Sequence, residues 1–347
     1  MQKIQLSDHF TYKKIFRFCL PSIAMMIFTS VYGVVDGFFI SNVVGKVPFA
    51  AVNIIFPFIM IVNSFGFMIG TGGSALVAKT LGENDPEKAN RYFTMMIKLT
   101  AAMGITVSTL GIIFLKPLSY LLGATDDMID YCVTYGRTAL TFNTFFMLQN
   151  SFQSFLATAE KAKLGLVVTV AAGITNMVLD WLLIAVLKWS VFGAALATGL
   201  SGFVGGFLPF IYFIRPNTSL LRLVRTKMQV SVLLKACANG SSELMSNISG
   251  SLVSMLYNLQ LMKYSGENGV AAYGVLMYIQ FIFIAIFIGY TIGTAPVIGY
   301  HYGAGHHDEL KNLLKKSFVI VGIAGIIMLF AARFLSKTLA GIFVGYD

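Results

Sequence analysis

Long apolar runs follow one another along the whole chain and are separated by short polar segments. A helix needs about 20 residues to cross the hydrocarbon of a bilayer, whereas a barrel strand needs about 10 residues that alternate strictly. The runs are too long and too continuous for barrel strands, so we predict helices. Nine spans are expected, at residues 18–40, 50–78, 94–115, 131–157, 164–187, 191–214, 232–262, 270–299 and 317–341.

The composition supports an all-α polytopic membrane protein that lies in the lipid bilayer. Hydrophobic residues make up 56% of the 347 positions and charged residues only 12%. That is too little charge to cover the surface of a soluble domain of this size. The net charge of +10 comes from basic residues beside apolar runs and not from a solvated basic stripe, so no nucleic-acid partner is expected.

The basic residues also predict the orientation. Lys and Arg collect in alternate polar segments, such as the one before the first span and residues 215–227 after the sixth. Short cytoplasmic loops accumulate these residues. We therefore predict a multi-pass protein of the cell membrane with a cytoplasmic N-terminus. The first apolar run is too long for the core of a cleavable signal peptide, so this span is expected to be retained.

An internal repeat is visible at an offset of 221 residues. The segment GTGGSALVAKTLGENDPEKAN, which starts at Gly70, aligns without a gap with TIGTAPVIGYHYGAGHHDELK, which starts at Thr291. Six predicted spans separate equivalent positions, so the repeats are parallel in the membrane. Such repeats form the two lobes of some secondary transporters, related by an axis along the membrane normal.

The repeat also predicts the division into domains. We expect a first six-helix lobe at residues 1–214, a cytoplasmic linker at 215–230 and an incomplete second lobe of about three helices at 231–347. Asp347 corresponds to Asp126, and nothing in the chain corresponds to residues 127–214. We expect the chain to be either a fragment or a naturally short form.

Three acids fall inside or close to predicted spans, namely Asp36, Asp180 and Glu243. A carboxylate near the bilayer centre costs at least about 2.5 kcal/mol unless it is protonated, paired or in contact with water. Each acid is therefore a candidate functional residue. For Glu243, which lies among Ser and Asn residues, a second acidic site and a simple interfacial position are equally open.

Polar side chains accompany Asp180 at helical spacing. Asn176 precedes it by four residues, and on the next helix Thr198 follows Ala194 by four, so each pair shares a helix face. Carboxylate, amide and hydroxyl oxygens suit a hard cation such as Na⁺. The same groups can hold protons, because desolvation favours the neutral acid. The alternative is structural: Asp180 hydrogen-bonds Asn176 or Thr198 and joins two helices.

Further candidates have weaker signals. Pro57 and Pro296 lie inside predicted helices, where each removes a backbone hydrogen bond and can form a hinge. Proline is common in membrane helices, so a purely structural role is equally open. Four amide residues crowd the fourth span and are candidates for the lining of a wet cleft: Asn143, Gln149, Asn150 and Gln153.

Several of these segments together resemble the multidrug and toxin extrusion family of membrane antiporters. They are VVDGFFISNVVGKVPFAAVNIIFP from Val34, the Gly-rich segment from Gly70, the Asn176–Asp180 pair and GAALATGLS from Gly193. The resemblance implies two six-helix lobes around a central cleft. It also implies a coupling-ion site in the first lobe formed by Asp36, Asn176, Asp180, the backbone of Ala194, and Thr198, with Glu243 resembling an acid of the seventh helix in some members.

The resemblance implies a cation-coupled antiporter and not an enzyme. Such a protein exports small amphipathic, often cationic compounds in exchange for Na⁺ or H⁺, with no cofactor. We expect it to act as a monomer. The alternative is a flippase for lipid-linked precursors from the same superfamily, which should have a cleft rich in Arg and Lys. A membrane-embedded hydrolase fits less well, since the four histidines lie in flanks or loops without a His-Glu-x-x-His pattern.

Overall fold

A computed structural model describes residues 4–343 of the protein. Side chains in this range are described except at 41, 42, 46, 255, 258, 259, 262, 265–272, 274, 275, 278, 279 and 335–343. The regular structure of the described residues is helical. The helices are α1 (Tyr12–Phe39), α2 (Lys46–Gly82), α3 (Pro86–Leu121), α4 (Asp126–Thr158), α5 (Ala162–Asp180), α6 (Ser190–Ile214), α7 (Val230–Gly303) and α8 (His307–Phe343).

The all-α polytopic fold is confirmed, but not every predicted span is strongly apolar. Seven helical segments of the described chain are long and apolar enough to cross a membrane. The predicted spans 131–157 and 232–262 are not among them. Both contain many amide and hydroxyl side chains, which lower their mean hydropathy. In α4 most of this polar face is buried against α2, α3 and α6, which shield it from lipid.

Helix α7 joins two of the predicted spans, 232–262 and 270–299. It is helical over 74 residues, yet the rings of Tyr257 and Tyr273 stack with centroids 5.2 Å apart. Sixteen residues of a straight helix would separate these positions by about 24 Å. The chain therefore reverses between the two tyrosines. We call residues 230–257 the first arm and residues 273–303 the second arm.

The sequence Asn84-Asp85-Pro86 predicts the start of a short surface helix, because Asn and Asp are favoured N-caps and Pro is favoured at the first helical position, and α3 begins there. Asp85 is the N-cap, and its carboxylate accepts a hydrogen bond from the Lys88 backbone N–H at 2.9 Å. Pro86 takes the first helical position, where its missing N–H costs nothing. The surface turn expected at this point is the first turn of the long helix α3 itself.

Helix α2 lies at the centre of the bundle, packed against α3, α4 and both arms of α7. Close approach of α2 to the second arm depends on glycine. A Cβ at Gly82 would collide with the carbonyl of Tyr300, and a Cβ at Gly303 would collide with the carbonyl of Lys79. These contacts are reciprocal at the repeat offset, because Gly303 is equivalent to Gly82 and Tyr300 to Lys79. Reciprocity of this kind characterises a two-fold interface.

A second pair of contacts has the same symmetry. Gly72 of α2 packs against the backbone of Gly240 in the first arm, and Gly293 of the second arm packs against Cys19 of α1. Gly293 is equivalent to Gly72, and Gly240 to Cys19. The contact pattern is compatible with the repeat, while the division into lobes at residues 215–230 stays a prediction.

Candidate functional site

Three helices bring four of the predicted site residues together. Asp36 lies near the end of α1, Asn176 and Asp180 on the last turns of α5, and Thr198 on α6. The Thr198 hydroxyl donates to Asp36 Oδ1 at 3.4 Å, and Asn176 Nδ2 donates to Thr198 Oγ1 at 3.5 Å. The carboxyl groups of Asp36 and Asp180 are neighbours that interact directly. The cluster is therefore continuous from α1 to α6.

Several acceptor atoms in this cluster lack a hydrogen-bond donor. Asp180 is 0% exposed and Asn176 1% exposed. Both carboxylate oxygens of Asp180 and the amide oxygen of Asn176 are buried without a partner of good geometry among the described residues. A buried acceptor left unpaired costs about 1–3 kcal/mol. These oxygens can be satisfied by a proton or by a small cation.

Ala194, the fifth predicted residue, lies one turn before Thr198 on α6. It is 0% exposed and belongs to the apolar cluster that surrounds the acids, with Ile40, Ile184 and Val191. Its methyl group supplies no ligand atom, so its contribution to an ion site is limited to backbone oxygen and to close packing.

Each acid is followed by a short π-helical turn. One spans Ile40–Val44, directly after α1, and the other spans Trp181–Val186, directly after Asp180. The two turns contact each other. A π-helical turn widens the i→i+4 ladder to i→i+5, and such turns are frequent at functional sites. The two acids thus lie where two regular helices give way to wider turns.

Two buried tyrosines complete the surroundings, and the sequence analysis missed both. Tyr135 of α4 lies within electrostatic range of both carboxyl groups. Tyr32, one helical turn before Asp36 on α1, interacts with Gln149 and lies close to Asp36. The i,i+4 spacing of Tyr32 and Asp36 was a signal that could have identified the first tyrosine. No local signal identified Tyr135, because helix packing alone brings it to the acids.

Glu243 lies apart from this cluster. It faces a cavity of about 130 Å³ between α2 and the two arms of α7, lined also by Phe67, Thr71, Phe287, Ile288, Thr291 and Ile292. The Thr71 and Thr291 hydroxyls donate to carbonyls of their own helices, at 2.8 and 3.0 Å. Among the described residues, no hydrogen bond reaches the Glu243 carboxylate. Its side chain is half-buried.

The predicted cleft residues of α4 are largely enclosed. Asn143, Gln149 and Gln153 are buried, and Asn150 is half-buried. Asn143 donates to Ser108 Oγ of α3 at 3.0 Å, and Gln149 packs against Gly205 of α6. These residues lie between helices that precede the linker. Whether they line a wet cleft stays a prediction.

The predicted hinge residues lie inside regular helix. Pro57 is within α2 and Pro296 within the second arm of α7. Both helices continue through the proline, so each ring leaves one carbonyl of the preceding turn without its helical partner. Their hinge roles stay predictions.

The atoms that the acid cluster offers as ligands suit a hard cation or a proton. They are carboxylate, amide and hydroxyl oxygens, without sulfur or imidazole. Na⁺, like Ca²⁺ and Mg²⁺, prefers such oxygen ligands. The described residues contain no group of three or more His, Cys, Asp or Glu side chains arranged to hold a metal ion.

Apolar helices that cross the membrane repeatedly and enclose a cluster of two acids define the class of the protein: a multi-pass membrane transporter. The chain belongs to the MatE family, which its sequence matches over residues 21–182 and 244–347. The resemblance predicted from the sequence motifs is thereby confirmed, and with it the assignment to transporters and not to enzymes.

Similar proteins cover almost the whole chain. The multidrug export protein MepA of Staphylococcus haemolyticus is 24% identical over 317 residues, which are 90% of this chain and 69% of the relative. MepA of Staphylococcus aureus is 21% identical and aligns with 96% of this chain and 73% of its own length. The solved structure of a multidrug resistance MATE family transporter in an outward-facing conformation has a TM-score of 0.90 and is 24% identical. The alignment covers 99% of this chain and 76% of that transporter.

Proposed function

We propose that the protein exports small amphipathic, often cationic compounds across the cell membrane in exchange for Na⁺ or H⁺. The coupling ion binds at Asp36, Asn176, Asp180, Thr198 and the backbone of Ala194. The protein works as a monomer with its N-terminus in the cytoplasm. The multidrug export of the MepA relatives, which belong to the same family, supports the substrate class.

One observation carries the coupling site. Two neighbouring carboxyl groups lie among amide and hydroxyl oxygens, and the described residues supply no well-placed donor to either Asp180 oxygen or to the Asn176 amide oxygen. Two like charges so close together repel each other. A bound cation or proton relieves that repulsion and satisfies the free oxygens at the same time. The site therefore has a strong physical reason to bind a small positive ion.

The ion drives export only if it binds one conformation more tightly than the other. Asp36 is on α1 and Thr198 on α6, and they are joined by a single 3.4 Å hydrogen bond. A small relative movement of these helices changes the number of oxygens within reach of the ion. Entry of the ion from outside then favours the conformation that releases the substrate outside.

The cavity at Glu243 is the proposed site for the charged end of the substrate. Its carboxylate has no donor among the described residues, and the neighbouring Phe67 and Phe287 rings favour a cation with apolar surroundings. At about 130 Å³ the cavity is smaller than the roughly 300–1,000 Å³ of ligand pockets for drug-sized molecules. It takes an amine or a quaternary ammonium group, and the rest of the molecule extends beyond it.

The alternative of a lipid-precursor flippase has less support. A phosphate-bearing substrate calls for Lys or Arg at its site, whereas the described lining of the Glu243 cavity contains a carboxylate and no basic residue.

The test is transport by purified protein in liposomes with imposed Na⁺ or H⁺ gradients and a fluorescent cationic dye. Asp36→Asn should leave insertion into the membrane unchanged and abolish dye movement driven by the gradient. Asp130→Asn, which removes an exposed acid from α4, is the matched control and should transport normally. Dye movement that responds to one gradient and not the other identifies the coupling ion. Normal gradient-driven transport by Asp36→Asn would refute the coupling role.

A further inference from the structure

The segment before α1 is not a free tail. Residues 4–11, which we call the N-terminal strap, run across the face of the protein that carries the α4–α5 and α7–α8 turns. Leu6 and Phe10 are each 1% exposed and belong to the largest apolar core. The Leu6 backbone N–H donates to Glu160 Oε1 in the α4–α5 turn at 2.8 Å. One end of the strap is thus fixed to the helices before the linker.

The other end of the strap is fixed to α7 and α8. The Phe10 backbone N–H donates to Glu309 Oε1 at 2.9 Å, and the Phe10 carbonyl accepts from Lys316 Nζ at 2.6 Å. His9 Nδ1 lies 2.5 Å from the second oxygen of Glu309. The Phe10 ring meets the His301 ring edge-on, with centroids 6.3 Å apart. Phe10 is therefore inserted between the end of α7 and the first turns of α8, within the predicted second lobe.

The linker provides a comparison at the equivalent helix of the first repeat. Residues 222–226 lie along α3, which corresponds to α8: the Arg222 N–H donates to Asn90 Oδ1 at 2.7 Å, and Lys98 Nζ donates to the Thr226 carbonyl at 2.9 Å. This contact joins the linker to helices that already precede it in the chain. The strap differs, since it crosses from α4–α5 to α8. Of these two segments, the strap is the one whose contacts join the helices before the linker to α8.

We propose that the N-terminal strap is a latch that holds the cytoplasmic face closed, and that Phe10 must leave α8 before this face can open. Hydrogen bonds of 2.8 and 2.9 Å cannot both survive when Glu160 and Glu309 move apart by the several ångströms that a substrate needs. Because α1 follows the strap directly, α1 moves when Phe10 withdraws from α8. The proposal rests on the cytoplasmic N-terminus and on the change between two conformations proposed above.

Hydrogen exchange tests the latch without any transport. The reporter peptides cover residues 72–82 and 293–303, where α2 and the second arm meet beneath the strap. Phe10→Ala and Glu309→Gln should each increase exchange at both peptides by about tenfold. Asp308→Asn is the matched control, because it removes an exposed charge from the same helical turn and should leave exchange unchanged. Wild-type exchange in both latch variants, with a fully folded protein, would overturn the proposal and leave the strap as core packing only.

Cross-linking tests whether the latch must open. His9→Cys combined with Glu309→Cys is joined by a short bis-methanethiosulfonate reagent, which forms a disulfide with each thiol and releases methanesulfinate. The cross-link should stop dye transport, and a reductant should restore it. Each single variant, treated in the same way, should transport dye before and after the reagent is added. These variants control for reaction of the reagent with native thiols. Full transport by the cross-linked protein would overturn the latch. Failure of the proposed coupling site would give a different result. Asp36→Asn would then transport normally along the gradient, while Phe10→Ala and Glu309→Gln would still show increased hydrogen exchange.

Discussion

Replacement of Asp180 by Asn should stabilise the protein in the absence of the coupling ion. Asp180 is fully buried, neither of its oxygens has a well-placed donor in the part of the chain that the structure describes, and a second carboxyl group is its neighbour. A buried carboxylate in a membrane protein costs at least about 2.5 kcal/mol. An amide removes the charge but leaves polar atoms to be satisfied, at about 1–3 kcal/mol. We expect a net gain of about 1 kcal/mol, or about 2 °C in Tm for a protein of this size.

The same change should remove the stabilisation that the ion provides. An ion that binds only the folded protein stabilises it by RT ln(1 + [ion]/Kd), which is about 1.4 kcal/mol at ten times Kd. The wild type should therefore become more stable as the coupling ion is added, whereas Asp180→Asn should respond little. Protonation relieves the charge in the wild type as well, so the advantage of the variant should shrink as the medium becomes more acidic.

The measurement is thermal unfolding of purified protein in detergent, with Na⁺ exchanged for choline at several pH values. Asp130→Asn is again the control for loss of an acid, since Asp130 is exposed on α4, and it should behave as the wild type. An Asp180→Asn protein that is destabilised in every condition would show that the carboxylate is a structural partner of Asn176 or Thr198. A full ion response in that variant would refute the site.

Two further substitutions test other parts of the structure. Glu243→Gln should raise the KM for cationic dyes by about tenfold or more, because a charge-assisted contact is worth about 1.5–3 kcal/mol. The KM for neutral substrates should not change. An equal change for both substrate types would argue against a cavity that recognises charge. Gly303→Ala should lower the free energy of unfolding by about 1–3 kcal/mol, because its Cβ meets the Lys79 carbonyl. Gly322→Ala on α8 is the control, because Gly322 has open space around it, and it should be neutral or slightly stabilising. Equal losses of unfolding free energy in both variants would contradict the packing argument.

The helices and much of the acid cluster were predictable because their signals are local. An apolar run of sufficient length predicts a span, and i,i+4 spacing put Asn176 and Asp180 on one face before any contact was known. The Asp85 cap likewise predicted where α3 begins. The extent of the polar spans was harder to judge, since α4 owes its position to neighbours that cover its polar face and not to its own hydropathy.

Contacts between distant parts of the chain could not be predicted. Tyr135 reaches the acids only because α4 packs in the middle of the bundle. The burial of Leu6 and Phe10 depends on partners about 150 and 300 positions away in sequence. The segment around them is polar and has no helical period, so its pattern is typical of an exposed tail. Partners on other elements, and not the residues of the strap, determine its structure.

Helix α1 links the proposed ion site to the proposed latch. The strap precedes its first residue, Asp36 lies near its end, and between them Cys19 packs against Gly293 of the second arm. Helix α1 spans about 36 Å between Tyr12 and Asp36. This length is enough to connect the proposed ion site near one end of the helix with the strap at the other end. A helix transmits displacement along its length because its backbone hydrogen bonds resist extension. Helix α1 continues through Pro21, so we expect a movement that brings Asp36 towards Asp180 to act on Phe10 as well, and the proposed ion site and the proposed latch then belong to one moving part.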